Sequence, residues 1–149
     1  MHALHNGTTF LFAAILGAAG GRAGFSLAST PTAPTSISRS VHVVKMIGDA
    51  KGFRFAPARV TIKSGDAVKF VLISGAPHNV AFDAESIPAD AKEELAANMA
   101  DDTGSLTGDL KTSPGDTFTV SFRNVKPGKY PYYCVPHRAV GMTGVIIVR

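Results

Sequence analysis

The sequence predicts an all-β domain, a sandwich or a barrel, with one short helix. Four short runs alternate apolar and polar residues with a period of two, and Gly, Pro, Asp or Ser bounds each run. Their apolar positions are Val60 and Ile62; Val68, Phe70 and Leu72; Phe118, Val120 and Phe122; and Val145 and Ile147. Several short strands at close spacing are typical of sandwiches and barrels. With 149 residues, 45% of them hydrophobic, the chain is long enough to bury a core.

The chain divides into a leader, a linker and one domain. Residues 10–19 form an apolar run that is too short to span a bilayer, and small residues follow it. A secretory signal peptide is therefore predicted over residues 1–28, with an uncleaved membrane anchor as the alternative because no Lys or Arg precedes the run. Residues 29–40 are rich in Ser, Thr and Pro, which predicts a flexible linker, and the domain follows over residues 41–149. We expect an exported protein with no stable membrane insertion after the leader is removed.

One segment departs from the period-two pattern and predicts the helix. Asp90 and Glu93 are three residues apart, as in a capping box that opens a helix. Leu95 and Met99 follow four residues apart, so they share one face of a helix over residues 91–99. We therefore expect one short helix within an otherwise β domain.

The balance of charges argues against nucleic-acid binding. The chain has 15 Lys and Arg against 11 Asp and Glu, a net charge of +4, but its basic residues are scattered singly along the chain. Eight of the acids and one base lie within residues 83–109. A solvated helix with its flanking loops explains these acids most simply, and docking of a basic partner is the second interpretation.

The segment after the predicted strand that ends at Tyr133 carries the chemical signal. Cys134, His137 and Met142 follow the pattern Cys-x2-His-x4-Met on a loop between two predicted strands, where all three side chains can turn toward one point. Thiolate and thioether ligands are soft and select copper, and imidazole also binds it. Two His and one Cys in a plane with a weak axial Met describe a blue copper electron-transfer centre. The loop therefore predicts three of the four ligands of such a centre.

The second His must come from another segment. His78 directly follows a Gly-Ala-Pro turn at the start of a predicted strand, where a side chain can project from the end of a sandwich. His42 lies within a strand-like run and is expected to be an ordinary strand residue. The sequence thus favours a metal site made of His78, Cys134, His137 and Met142.

Other uses of these residues are weaker. A lone Cys is most often a buried inert thiol, but the neighbouring His and Met argue against this interpretation of Cys134. A catalytic Cys–His pair usually takes its His from a distant segment and adds a third, orienting group, which the loop lacks. Met is a poor zinc ligand, and a single Cys excludes a disulfide, a Cys-x-x-Cys redox motif, an iron–sulfur cluster and a dinuclear copper centre. Met46, Met99, Tyr130 and Tyr132 are expected in the core.

Three segments, residues 55–66, 77–83 and 133–142, together resemble the cupredoxins, the blue copper proteins, and most of all their plastocyanin branch. The resemblance runs in order over residues 41–149. It implies an eight-stranded Greek-key sandwich with one copper ion, Cu(I) or Cu(II), held at one end by the four residues named above.

The resemblance also implies roles for the residues around the metal. The Asn79 backbone amide would donate a hydrogen bond to the Cys134 sulfur and so tune the thiolate. His137 would present its outer edge to solvent as the port for electrons. Tyr133, next to the ligating Cys, would belong to a second route on the flank.

On this resemblance the protein is a mononuclear type 1 copper protein and a one-electron carrier, not an enzyme. Expected partners are redox proteins such as a cytochrome or a membrane electron-transfer complex, which dock transiently on a monomer in the periplasm, or in the thylakoid lumen of a photosynthetic organism. Arg138, Val140 and Ala76 depart from the family's flat apolar docking face. The alternatives are an exported copper-storage or delivery protein that uses the same four ligands, and a metal-free sandwich domain used for adhesion.

Overall fold

A computed structural model describes residues 38–100 and 105–149 and contains, within them, eight strands and one short α-helix. The predicted signal peptide and most of the predicted linker lie outside the described residues. The strands are β1 Val41–Asp49, β2 Gly52–Ala56, β3 Arg59–Ile62, β4 Ala67–Leu72, β5 Ala81–Phe82, β6 Thr117–Ser121, β7 Gly128–Tyr133 and β8 Thr143–Val148. The helix α1 spans Lys92–Ala97, and 3-10 segments cover Ala89–Ala91 and Val135–Val140.

The strands form two four-stranded sheets that pack as a sandwich. The first sheet has the order β2-β1-β4-β6 and the second has the order β3-β8-β7-β5. The β1–β4 and β3–β8 pairs are parallel, and the remaining pairs are antiparallel. Because parallel neighbours cannot be joined by a hairpin, the chain crosses repeatedly between the sheets. The predicted all-β Greek-key sandwich with one short helix is confirmed.

The core lies between the two sheets and is rich in aromatic rings. Tyr132 on β7 is fully buried, and its ring centroid lies 4.8 Å from that of Phe55 and 5.2 Å from that of Phe70, both on the opposite sheet. Edge-to-face pairs at these separations stabilise a core beyond their buried area. Tyr130 and Met46 are also fully buried. Their prediction as packing residues is therefore confirmed.

The last strand presents the opposite face from the one that its predicted pattern suggested. Ile146 and Val148 are buried in the core, whereas Val145 and Ile147 are only partly covered. All four positions are apolar, so the sequence alone could not say which alternate pair faces inward. The strand itself was predicted correctly, and only its face was wrong.

The helix is shorter than predicted and begins without a capping box. Asp90 lies inside the 3-10 turn Ala89–Ala91, no side chain caps either helical segment, and the Asp90 carboxylate pairs instead with the Lys126 ammonium. The N-cap positions of the two segments are Pro88 and Ala91, so Asp90 is not placed to cap either of them. Met99 lies beyond the helix, is buried, and forms a bridge with Val120, so it remains a core residue.

Three loops meet at one end of the sandwich. They are the β1–β2 turn, the segment between β4 and β5, and the β7–β8 loop, and contacts between their side chains join them. Within residues 38–100 and 105–149, no helix has the length and apolar character needed to cross a membrane. The end with the three loops carries the predicted metal ligands.

Candidate metal centre

Three of the predicted ligands come together at this end. The Cys134 Sγ atom lies 3.6 Å from His78 Nδ1 and 3.4 Å from His137 Nδ1. All three ligand atoms lie within 4.8 Å of one another, without help from an acidic residue. Two distant segments of the chain therefore supply one compact set of donors.

The β7–β8 loop is closed by its own backbone. The Cys134 N–H donates to the Met142 carbonyl, the Met142 N–H donates to the His137 carbonyl, and the His137 N–H donates to the Cys134 carbonyl, each at 3.1 Å. Gly141 has a φ of +86°, in the left-handed region that ends the 3-10 segment. Met142 is fully buried. The fourth predicted ligand is thus tied to two of the others through the main chain.

His78 is fixed in one tautomer by a single hydrogen bond. Its ring is fully buried, and its Nε2–H donates to the Ser74 carbonyl at 2.9 Å. Because a carbonyl can only accept, Nδ1 keeps its lone pair, and this is the nitrogen that faces Sγ. Burial also lowers the pKa of His78 below its ordinary value. A neutral imidazole with a fixed outer hydrogen bond is the usual form of a metal-ligating His.

Asn79 links the His78 segment to the Cys134 loop. Its buried side chain accepts a hydrogen bond from the Val135 N–H at 2.8 Å and donates one to the Gly108 carbonyl at 3.3 Å. Burial raises the pKa of the Cys134 thiol, while the backbone amides of Asn79 and His137 act against this as donors to the sulfur. A hydrogen bond from the Asn79 amide to this sulfur, which the resemblance implied, is thus one of the two influences that lower the pKa. Its side-chain link had no signal in the sequence.

His137 is the outermost of the three and stacks on a residue that the sequence did not single out. Its ring lies 3.7 Å from the Phe53 ring, with the two planes 12° apart, and burial lowers its pKa. Phe53 is the second residue of β2 and remains 37% exposed. An aromatic residue at a strand end gives no indication of which loop it will contact. Stacking therefore fixes the plane of the ring that was expected to face solvent.

Arg138 lies on the flank of the centre, and His42 lies outside it. The Arg138 guanidinium carbon lies 4.0 Å above the centroid of the Tyr133 ring, so this flank carries a positive charge. His42 lies in β1 instead, where its Nε2 is 3.0 Å from the Asp66 carboxylate. Its interpretation as a strand residue outside the metal site is confirmed.

The donor set fits copper. A thiol sulfur and two imidazole nitrogens, with a thioether tied to them through the backbone, combine the soft and borderline ligands that copper takes in type 1 sites. The sequence model of a protein family, the copper binding proteins of the plastocyanin/azurin family, matches residues 41–149. The chain belongs to this family.

Relatives and solved structures agree with the assignment. The chloroplastic plastocyanin of Chlamydomonas reinhardtii is 34% identical over 127 residues, covering 83% of this chain and 80% of that protein. The plastocyanin of Synechococcus sp. (strain JA-2-3B'a(2-13)) is 38% identical over 107 residues, which are 72% of each chain. The oxidized plastocyanin of Dryopteris crassirhizoma superposes with a TM-score of 0.56 at 32% identity, covering 72% of this chain and 99% of that one.

Family membership establishes the class of function. The protein is a cupredoxin most like plastocyanin, a type 1 copper electron carrier that binds one copper ion and is not an enzyme. Carriers of this kind work with redox partners. The chloroplastic relatives support an exported protein.

Proposed function

We propose that His78, Cys134, His137 and Met142 bind the copper ion and that the protein carries single electrons between two redox partners. The observation that carries this proposal is the approach of both Nδ1 atoms to the Cys134 sulfur, at 3.6 and 3.4 Å. When bound, copper supplies a one-electron couple, Cu(I)/Cu(II). The four side chains supply two sulfur and two nitrogen donors. With all four positions filled by the protein, the proposed site has no position for a substrate.

The surrounding residues prepare the donors before any metal arrives. The Cys134 thiol must lose its proton to bind metal, and the backbone amides of Asn79 and His137 stabilise the resulting negative charge. The Ser74 carbonyl holds the proton of His78 on Nε2. Because His78 and Cys134 are buried and hydrogen-bonded to backbone groups, their donor atoms keep one arrangement. An electron carrier needs such a fixed arrangement because the same ligands must serve both oxidation states of the metal.

Electrons are proposed to enter and leave through the end face around His137. Phe53 on β2 is exposed there, as are Val135 and Val140 on the β7–β8 loop, and Val140 is 66% exposed. An exposed apolar patch beside a charged residue, here Arg138, suits brief docking by another protein. We expect the partner to be a cytochrome or a membrane electron-transfer complex, and the carrier to act as a monomer in the periplasm or the thylakoid lumen.

A cupric titration with four proteins tests the ligand set. Metal-free wild-type protein should develop an intense blue thiolate-to-copper absorption that saturates at one equivalent of cupric salt. Cys134→Ser should abolish this band because the sulfur donor is lost, and His78→Gln should abolish or strongly alter it. His42→Gln is the matched control and should keep the wild-type spectrum, since His42 pairs with Asp66.

Two outcomes contradict the proposal. Wild-type protein that stays colourless with cupric salt, or a band that survives in Cys134→Ser, would rule out the proposed ligands. Voltammetry separates carrier from delivery protein: reversible one-electron waves with fast self-exchange support a carrier, and sluggish exchange with ready metal transfer supports delivery.

A further inference from the structure

Two glycines pack backbone against backbone beside the proposed copper ligands. Gly48 lies near the end of β1, and Gly75 follows β4 with a φ of +74°. A Cβ on Gly75 would meet the Gly48 Cα and would lie 2.8 Å from the Gly48 nitrogen. A Cβ on Gly48 would lie 2.9 Å from the Gly75 Cα. Neither glycine can be replaced by a residue with a side chain unless the backbone of the other glycine moves.

Gly48 also makes room for the ring that stacks on His137. Phe53 is the direct partner of Gly48 across the β1–β2 ladder. A Cβ on Gly48 would lie 2.7 Å from both the Cδ1 and Cε1 atoms of Phe53. The Phe53 ring therefore lies over a position without a side chain. Its centroid lies 3.7 Å from that of the His137 ring, which it stacks on, and 6.0 Å from that of the His78 ring, which it meets edge-on. An aromatic ring over a cross-strand glycine is a favourable pairing in sheets.

The same contact reaches the second imidazole through one carbonyl group. The Ser74 carbonyl, next to Gly75, accepts hydrogen bonds from the Gly48 N–H and from His78 Nε2, both at 2.9 Å. A carbonyl has two lone pairs and can serve both donors. The distance between the Ser74–Gly75 backbone and Gly48 of β1 thus sets the position of the His78 ring.

We propose that Gly48 is a positioning residue for both imidazoles of the copper centre. Its lack of a side chain lets the Phe53 ring lie flat on His137 and lets the Ser74 carbonyl approach β1 closely enough to hold His78. This inference rests on the proposed ligand roles of the two His residues, but the packing itself is a property of the metal-free protein.

The first experiment uses metal-free protein, so it does not depend on copper. In wild-type protein, NMR should show His137 ring protons shifted upfield by the ring current of Phe53. Gly48→Ala should reduce this shift and also move the His78 ring resonances. Gly128→Ala is the matched control, because its Cβ would lie 3.3 Å from Pro88 Cγ, away from the centre, and both His residues should keep their resonances.

A second variant identifies the route of the effect. Phe53→Leu should remove the upfield shift of His137 and should change the His78 resonances less, because the Phe53 ring meets His78 only edge-on with centroids 6.0 Å apart. Adding Gly48→Ala to Phe53→Leu should change His137 much less than Gly48→Ala does alone, because Leu can turn away from the new methyl group. In copper-loaded protein, Gly48→Ala should shift the reduction potential and the copper EPR spectrum, whereas Gly128→Ala should shift neither.

Several results would overturn the inference. One is a folded Gly48→Ala protein with unchanged His137 and His78 resonances, and another is an effect on His137 of equal size in the Phe53→Leu background. If Gly48→Ala fails to fold, the Phe53→Leu protein provides the test, since this substitution adds no volume. An unchanged His137 shift in Phe53→Leu would contradict the stacking role of Phe53. Expected NMR shifts in a protein that never turns blue would instead refute the ligand assignment and leave the packing intact.

Discussion

Met142 is fully buried, and its backbone is hydrogen-bonded to two other proposed ligands. Replacing Met142 by Leu can therefore test the role of the sulfur separately from that of packing, since Leu has a similar volume and lacks the thioether sulfur. A substitution there can remove a donor without opening a large cavity.

Met142→Leu is expected to keep copper bound and to raise the reduction potential. The physical reason is that a weak axial sulfur donor stabilises Cu(II) more than Cu(I), so its loss favours the reduced state. Voltammetry measures the change. Met99→Leu is the control, because Met99 is buried in the core beyond the helix and its replacement should leave the potential unchanged. An unchanged or lower potential in Met142→Leu would argue against axial ligation.

The sequence was most informative at single residues whose chemistry is unusual. Cys134, His137 and Met142 share one loop, so their spacing alone indicated a metal site. His78 was chosen for its position directly after a turn, at the start of a predicted strand. Phe53 and the Ser74 carbonyl were not predictable, because their contacts depend on how two separate loops pack against each other.

At the scale of elements, one buried carboxylate ties the start of β1 to the β3–β4 turn. Asp66 accepts hydrogen bonds from the Ser40 N–H at 2.9 Å, the Lys63 N–H at 3.0 Å and His42 Nε2 at 3.0 Å. The hydrogen bond from Ser40 is the main cause that lowers the pKa of Asp66 from 3.8 to about 2. Ser40 was assigned to the linker from its sequence, yet it is bonded to the domain.

Asp66→Asn should destabilise the fold by about 1–2 kcal/mol at neutral pH, since the variant loses the charge that the three donors favour. The pKa of Asp66 is lower in the folded chain than in the unfolded one. Its contribution is therefore present above its ordinary pKa of 3.8 and is lost as the pH falls through about 2. Urea unfolding at neutral and acid pH should show the difference between the two proteins shrinking across this window.

The matched control is Asp83→Asn, because the Asp83 carboxylate accepts a hydrogen bond from the exposed Ser86 hydroxyl. It should change the free energy of unfolding much less than Asp66→Asn. A difference between wild type and Asp66→Asn that stays constant from neutral pH down to the acid limit would contradict the role of the ionised carboxylate.

Elements with strict alternation were predictable, and those without it were not. β4 and β6 follow the period-two pattern and bury the expected residues, Phe70 and Val120 among them. β8 is apolar on both faces over Val145 to Val148, so its register with the neighbouring strands β3 and β7 decides which face is inside. The predicted capping box is absent because Asp90 lies inside the 3-10 turn, whereas Pro88 and Ala91 occupy the N-cap positions of the two helical segments.

At the scale of the whole molecule, exposed apolar residues and charge are unevenly placed. Val135 and Val140 are exposed on the metal-binding loop beside Arg138. Among the acids of residues 83–109, Asp90 is engaged with Lys126 and Asp83 with Ser86. Docking of a basic partner on this acidic stretch stays a prediction, and within the described residues the Lys126 ammonium offsets the charge of Asp90.

Val140→Lys should slow electron self-exchange on the order of tenfold at low ionic strength. If electrons pass through the His137 end as proposed, two copies bring these ends together to exchange electrons, and the new charge would lie near Arg138 on that face. Val43→Lys is the matched control: Val43 is 49% exposed on β1, and the change adds the same charge away from the proposed face. Equal slowing in both variants would contradict docking at the His137 end, and added salt should narrow any real difference.

The hydrogen bonds that close the β7–β8 loop have a consequence for how such a protein can change over time. The loop leaves and re-enters the sheet at one paired position, Tyr133 opposite Thr143. A change of length between Cys134 and Met142 would therefore leave the register of β7 and β8 unchanged as long as this pair is kept. Such a change would still alter the contacts of the loop with Asn79 and Phe53, so three donors and these two neighbours would have to be redesigned together while His78 stays in place.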